Sequence, residues 1–558
     1  MPTELEFDVV VVGAGAAGMT AALTAAQRGL RTVVIEKAEH FGGSSARSGG
    51  GVWIPGNAVL RKAGVPDTPE QAATYLAHIV GPDVSLARQA AFLRHGPDML
   101  ALVQATTPLA FRWVRGYCDY YPEAPGGRAG GRSIEAAPLP AGVLGADRDQ
   151  LTPPYLAAKG GVAVTQTDYR WLNLVARHPR GPITALKVGL RTAAARLRRR
   201  ELLTMGQALA AGLRAGLTRL HVPVWLSTSL IELTVDGDRV TGVQVSRGGE
   251  LVTLRARRGV VLAAGGFEHN AELRKEYQRE PVGTEWTSGA STNTGDAIAA
   301  GQRLGAQLEL MDDAWWGPTV PLPGGPYFLL AERTLPGCLM VNGDGRRFVN
   351  EAAPYVDAVH AMYDGHTAEN PHIPAWLIFD QQYRNRYVFA ARAPRQQFPP
   401  RWYASGAMAR AGSLAVLADE IGVSVDGLAA TVARFNQMAR NGRDEDFHRG
   451  DSAYDRYYGD PRNRPNPCLA PLTRPPYYAA RIVPGDLGTK GGLSTDERAR
   501  VLRPDGSVIA GLYAAGNSSA SVMGHTYAGP GATLGPAMTF GYVAALDCAD
   551  VPRTRKSR

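Results

Sequence analysis

Residues 8–36 constrain this chain more than any other stretch of similar length. Asp8 to Val12 is a short apolar, β-branched run that leads directly into Gly13-Ala-Gly15-Ala-Ala-Gly18 and an alanine-rich segment reaching Gly29. A second apolar run, Thr32 to Ile35, ends in Glu36. The order strand, glycine turn, helix, strand, acid predicts a dinucleotide-binding unit. Gly13 makes the turn, Gly15 lets the backbone approach a pyrophosphate, and Gly18 lets helix and strand pack closely. The helix N-terminus attracts phosphate charge, and Glu36 can accept hydrogen bonds from a ribose hydroxyl.

Three further segments extend this unit. Phe41-Gly-Gly-Ser-Ser-Ala-Arg-Ser-Gly-Gly-Gly51 is a second glycine/serine loop close behind Glu36, suited to pass along a pyrophosphate and a flavin. A plain nicotinamide domain has no need of it, so the cofactor indicated is FAD. Gly259-Val-Val-Leu-Ala-Ala-Gly-Gly266 reads as a buried strand entering a glycine turn, and Gly511-Leu-Tyr-Ala-Ala-Gly516-Asn517 repeats that pattern. At 558 residues the chain is too long for one core. Segments this far apart serving one ligand predict a discontinuous α/β domain interrupted by an insertion. The candidate FAD contacts are Gly13, Gly15, Ala16, Ala17, Gly18, Glu36, Lys37, Gly42, Gly43, Ser44, Ser45, Ser48, Gly49, Gly50, Ala264, Gly265, Gly516, Asn517, Ala532 and Leu534.

The segment Gly511 to Tyr542 adds a chemical handle. Each glycine costs a helix roughly 1 kcal/mol, so a helix is expected to start only at about Pro536. Before it, Tyr527 precedes the bare backbone of Gly531 by four residues. Such a stretch can bring a phenol and backbone N–H groups against a cofactor ring and a substrate oxygen together. His525, its one group titrating near neutrality, reads as a structural loop residue.

These motifs, with Arg347-Phe-Val-Asn-Glu351 and Gly491-Gly492, resemble the flavoprotein family that contains fumarate reductases and 3-ketosteroid dehydrogenases. The resemblance spans almost the whole chain. It implies a Rossmann-like FAD-binding domain over residues 1–285 and 486–558 and an inserted α+β catalytic domain over 286–485. In the fumarate reductases the position five places after Asn350 holds an arginine; here it is Tyr355. Without that guanidinium a dicarboxylate loses its natural partner. The histidine expected before the late glycine pair is also absent from Leu487-Gly-Thr-Lys-Gly-Gly492.

The remaining likeness is to the 3-ketosteroid 1-dehydrogenases. It implies that Tyr527 and Gly531 hold a C3 carbonyl, that Tyr355 is the base, and that Tyr120 is its partner, with Tyr121 leaving that register open. Two donors on the ketone oxygen would stabilise enolate charge, each worth about 10²–10³ in rate. Tyr355 would take the C2 proton, with a pKa lowered by Tyr120 and the flavin, and hydride would pass from C1 to flavin N5. The resemblance further implies non-covalent FAD and a quinone-type electron acceptor. Rival readings are a 4(5α)-dehydrogenase and a flavin-binding electron-transfer protein without steroid turnover. Asp312-Asp313 and Trp315-Trp316 are expected to shape the pocket wall or the domain packing rather than act chemically.

Four scattered cysteines without a CxxC pair argue against zinc and disulfides and fit a reducing cytoplasm. No metal site is expected. The net charge of +9 is concentrated in residues 177–200, with eight Lys/Arg and no acid, and in the tail 553–558 with four more. No aromatic-interleaved basic groove accompanies them, so nucleic acid is not a partner. Residues 177–204 form a basic insert in which Leu186, Leu190, Ala193, Ala194 and Leu197 recur at helical spacing. It reads either as a peripheral attachment to the inner membrane surface or as a solvated helix packed on the flavin domain. Tyr169 and Trp171 just before it are expected to join that interface.

Overall fold

The computed structural model describes residues 3–155 and 161–550. The basic tail 553–558 lies outside the described residues. The strand Thr3–Val12 runs parallel to Thr32–Ile35 on one side and to Glu250–Leu262 on the other. Its alternation has a simple result: Val9 and Val11 join one hydrophobic core, and Val10 and Val12 join another on the opposite face. The first core is roofed by two helices, Ala16–Gln27 and Leu534–Asp550. They approach so closely that a side-chain carbon at Gly541 would collide with the Ala17 carbonyl. The sheet continues from Glu250–Leu262 as an antiparallel meander with Arg239–Arg247 and Thr228–Asp236, whose side chains join the second core.

The C-terminal strand Val508–Ala514 closes this sheet. It lies parallel to Glu250–Leu262 through Val260–Leu512, Val261–Tyr513 and Leu262–Ala514 pairs. Chain entering from residue 508 therefore joins a sheet founded at residue 3. The discontinuous α/β unit expected from the glycine motifs is present. The final helix begins at Leu534, two residues before the expected start.

A separate antiparallel sheet holds Tyr327–Phe328, Ala314–Val320, Tyr477–Thr489, Ala375–Asp380 and Cys338–Val341, with Met408–Ala411 also on the central strand. Helices flank it, making this region α+β. A small third sheet, Gly51–Trp53, Ser133–Ala136 and Phe111–Trp113, lies beside the final helix.

The insert contains the helix Arg180–Leu197, but its apolar stripe faces outward. Gly181, Thr184, Val188 and Thr192 face inward, whereas Leu186 and Leu190 are 63% and 61% exposed and Leu197 is 87% exposed. Tyr169 and Trp171 do not join that outer face. Tyr169 packs on the first core and Trp171 on the second domain's core, between the Arg170 and Arg180 guanidinium groups. Their long flat rings fill the joint beneath the insert.

The Arg347–Glu351 motif proves to be an anchor. Arg347 binds Glu351 and Asp444 through paired nitrogens, and the buried Arg449 adds a bond of 3.0 Å to Glu351 and donates to the carbonyls of Leu335 and Cys338. The two guanidinium groups hold the Glu351 carboxyl below its ordinary range against burial, which pushes it up. Breaking such a buried network costs about 3–5 kcal/mol. Arg449→Met is expected to lower stability by that order in equilibrium denaturation; an unchanged midpoint would refute the anchoring role.

Candidate active site

One cleft gathers the motifs. Its empty volume is about 2080 Å³, open space at its mouth included, and it is lined at once by the N-terminal fingerprint, the second glycine/serine loop and the three tyrosines. Gly13, Gly15, Ala16, Ala17, Glu36, Lys37, Gly43, Ser44, Ser45, Ser48, Gly49, Gly50, Ala264, Gly265, Gly516, Asn517 and Leu534 all line it. Gly18, Gly42 and Ala532 do not. Gly18 sits against the Gly13 carbonyl, where any Cβ would clash, and Gly42 turns the chain at φ 107°. The Ala532 N–H closes a turn onto the Gly529 carbonyl. These three shape the cradle from behind.

The cradle suits a dinucleotide. Gly15 caps the helix Ala16–Gln27 without a side-chain bond, and that helix start opens into the cleft. Glu36 is held by the N–H groups of Ala14 and Ala38 at 2.9 and 3.0 Å. Burial raises its pKa and those bonds pull it back. Gln166 Oε1 is buried without a protein partner, and Gln166 lines the cleft. Orphaned polar atoms in a large cavity are what a polar ligand would satisfy.

At one end three phenols meet. Tyr355 is the first residue of the helix Tyr355–Asp364, immediately beyond the anchored motif. Tyr120 Oη donates to Tyr355 Oη at 3.0 Å, while neighbouring Tyr121 bonds Asp357 at 2.8 Å. Of these two adjacent tyrosines, Tyr120 is the one that meets Tyr355. Tyr527 stands with its ring centroid 5.0 Å from Tyr120 and 5.5 Å from Tyr355. Phe328 adds an edge against Tyr355, and Trp315 packs on Tyr527 while donating to Asn517.

Sequence reasoning missed Thr533, whose hydroxyl donates to Tyr527 Oη at 2.9 Å. With that lone pair engaged, the phenol proton is left for another acceptor. The Gly531 N–H approaches the same oxygen, which sets a backbone donor beside the phenol. Thr533 sits inside the same glycine-rich segment as Tyr527, but its side-chain direction depends on the turn at Gly531, φ 95°.

Burial dominates the electrostatics. It pushes Tyr355 and Tyr120 well above the ordinary phenol value, and the Tyr120 hydrogen bond only partly offsets this at Tyr355. At Tyr355 the desolvation of a fully enclosed phenolate exceeds what one hydrogen bond from Tyr120 returns. Tyr527 is also raised by burial, and Thr533, Tyr355 and Gly531 moderate the rise.

His525 links this loop to its surroundings, 2.8 Å from Asp83 and 3.5 Å from Asp312. Asp313, one residue on, is buried against Lys490 and His360, a structural ion-pair role behind the cleft lining.

The FAD binding domain family matches residues 8–534. The chain belongs to that family, and FAD is its cofactor. Within the family it is 59% identical over 557 residues to the 3-oxosteroid 1-dehydrogenase of Mycobacterium tuberculosis, covering 98% of this chain and 99% of that relative. It is 55% identical over 556 residues to the enzyme of the same description from Mycolicibacterium smegmatis, covering 98% of each. The crystal structure of 3-ketosteroid delta1-dehydrogenase from Sterolibacterium denitrificans, in complex with 1,4-androstadiene-3,17-dione, matches with a TM-score of 0.93 at 42% identity. That match covers 98% of this chain and 99% of that one. The protein is an oxidoreductase.

The His525 contacts generate a pH prediction. Hydrogen bonding to Asp312, with Asp83 adding to it against burial, raises its pKa from 6.5 to about 9. A raised folded-state pKa contributes stability fully below the unfolded value, and that contribution is lost as pH rises through about 9. His525→Asn is expected to melt below the wild type at pH 6, with the gap closing above pH 9; a gap independent of pH would exclude the charged latch.

Proposed function

We propose that the protein is a 3-oxosteroid 1-dehydrogenase, removing hydrogen from C1 and C2 of a 3-ketosteroid. The observation that carries the reading is the convergence of Tyr527, Gly531, Tyr355 and Tyr120 at the end of the FAD cleft. We also propose that residues 1–285 and 486–558 hold the cofactor and 286–485 contribute Tyr355.

In this reading the Tyr527 O–H and the Gly531 N–H bind the ketone oxygen at C3. Thr533 keeps the phenol proton directed at it. Enolate charge growing on that oxygen is met by two fixed donors in a dry site, which acidifies the C2 proton. Tyr355 Oη receives that proton as a phenolate, favoured by the Tyr120 O–H and opposed by burial. Non-covalently bound FAD supplies the two-electron acceptor for the hydrogen lost from C1, and a quinone-type acceptor reoxidises it. The apolar and aromatic walls around Tyr355, including Phe328 and Leu330, suit a flat polycyclic substrate and keep water away.

Anaerobic steroid should bleach the flavin absorbance; an unchanged spectrum would point to the electron-transfer alternative. With a saturated 5α-3-ketosteroid the new double bond is expected at C1–C2, and a C4–C5 product would overturn the regiochemistry. Tyr527→Phe and Tyr355→Phe should each lower kcat by about 10²-fold or more with FAD still bound. Turnover should climb with pH as Tyr355 ionises, and Tyr120→Phe should push that rise to still higher pH. Near-wild-type rates in either phenylalanine variant would refute these roles.

The partners proposed for the protein include an anionic membrane surface. No helix among the described residues is long and apolar enough to cross a membrane. The helix Arg180–Leu197 instead presents Ile183, Leu186, Leu190 and Leu197 along its outer face, with Lys187 beside them and Arg198 to Arg200 beyond its end. That arrangement fits shallow insertion of leucines with cations at the lipid headgroups. The companion helix Gln166–Leu172 carries Gln166 and Tyr169 into the cleft wall. A lipid-soluble substrate would thus be held beside the cleft. The protein is expected to co-sediment with anionic vesicles at low salt and less so with Leu186→Asp/Leu190→Asp; equal recovery with and without vesicles would sink the attachment.

A further inference from the structure

We propose that Ser133 is a positioning residue that aims the Gly531 N–H at the substrate ketone; the inference rests on the role proposed above for Gly531. Pro530 and Gly531 share one peptide unit. Its carbonyl accepts a 2.5 Å hydrogen bond from Ser133 Oγ, and the serine is fully buried. A trans peptide is planar, with C=O and N–H pointing in opposite directions. Holding the Pro530 oxygen against Ser133 therefore directs the Gly531 N–H the other way, towards the cleft and Tyr527 Oη.

The need for such a clamp comes from glycine itself. A side-chain carbon at 531 would collide with the carbonyl of Gly51, and φ is 95°, so the position requires glycine. The same residue leaves this peptide plane free to rotate about its two flanking bonds. The next carbonyl, Gly531 O, is held by the N–H groups of Trp53 and Gly535 at 3.1 and 2.9 Å. Upstream, Ala528 O is held by Tyr75 Oη at 2.7 Å and by the Tyr120 N–H. Ser133 is the side chain that fixes the peptide between them. It sits opposite Trp53 in the small sheet, so one strand pair grips two successive carbonyls of the loop. A bond to the carbonyl also polarises the amide, strengthening the N–H as a donor.

The test is Ser133→Ala in the FAD-loaded enzyme, with Ser133→Cys and Ser133→Thr beside it. A fall in kcat of about 10- to 10²-fold is expected for alanine, less than the 10²–10³ for losing such a donor outright, because the N–H is misaimed rather than removed. The C3 carbonyl stretch of a bound 1,4-dien-3-one, read by infrared difference spectroscopy, should move up towards its free value. Threonine should restore both, and cysteine should fall between. Should the alanine variant fail to fold, the cysteine and threonine pair decides through the same carbonyl band. Changed melting or FAD content with an unmoved band and unchanged kcat would make Ser133 merely structural. A wild-type enzyme that shows no carbonyl shift on binding would instead defeat the ketone-binding reading itself.

Discussion

The reaction centre depends on two stretches of bare backbone being able to touch. Gly531, near the C-terminus, lies against Gly51 of the second cofactor loop so closely that no Cβ fits between them. That contact brings the Tyr527 loop onto the FAD cradle, and it is available only because Val508–Ala514 joins the sheet founded by Thr3–Val12 and Glu250–Leu262. Sheet closure, glycine contact and donor placement form one causal series. The N-terminal fingerprint and the C-terminal phenol belong to one site because a strand from residue 508 completes a sheet from residue 3.

A second constraint is dryness. Tyr120, Tyr355 and Tyr527 are all buried, and burial lifts each phenol above its ordinary value. In water a phenol donor adds little, since solvent competes for the ketone. In an enclosed site a phenol donor acts at low dielectric, so the burial that opposes ionisation also strengthens any hydrogen bond these phenols donate. The two effects share one cause. The hydroxyl of Tyr120 moderates the rise at Tyr355, and Thr533 moderates it at Tyr527.

Much of this was legible in the chain. The α/β unit, its interruption and most of the cleft lining follow from glycine spacing, because only glycine accepts those turns and close approaches. Tyr355 was legible through its place after Asn350-Glu351, and Tyr527 through its glycine-rich setting. Gly18, Gly42 and Ala532 were harder to place, since a residue that shapes a loop and one that faces a ligand can be adjacent. Which side of the insert Tyr169 and Trp171 serve was not legible, because their partners, Tyr458 for one and the Arg170 and Arg180 guanidinium groups for the other, are set by tertiary packing. Ser133, Tyr75 and Thr533 carry no local signal; a lone hydroxyl becomes informative only beside the carbonyl or phenol it binds.

Three conclusions needed only the order of residues: a dinucleotide fold is interrupted, FAD is the cofactor, and a phenol replaces the arginine a dicarboxylate would need. These are properties of short-range chemistry: backbone freedom at glycine, side-chain charge, and periodicity. The tertiary structure decided which of two adjacent tyrosines meets Tyr355, which way the leucines of the basic helix face, and where the Pro530–Gly531 peptide points. Those outcomes depend on contacts between residues hundreds of positions apart, and their energies exist only once the sheet has closed and water has left the cleft.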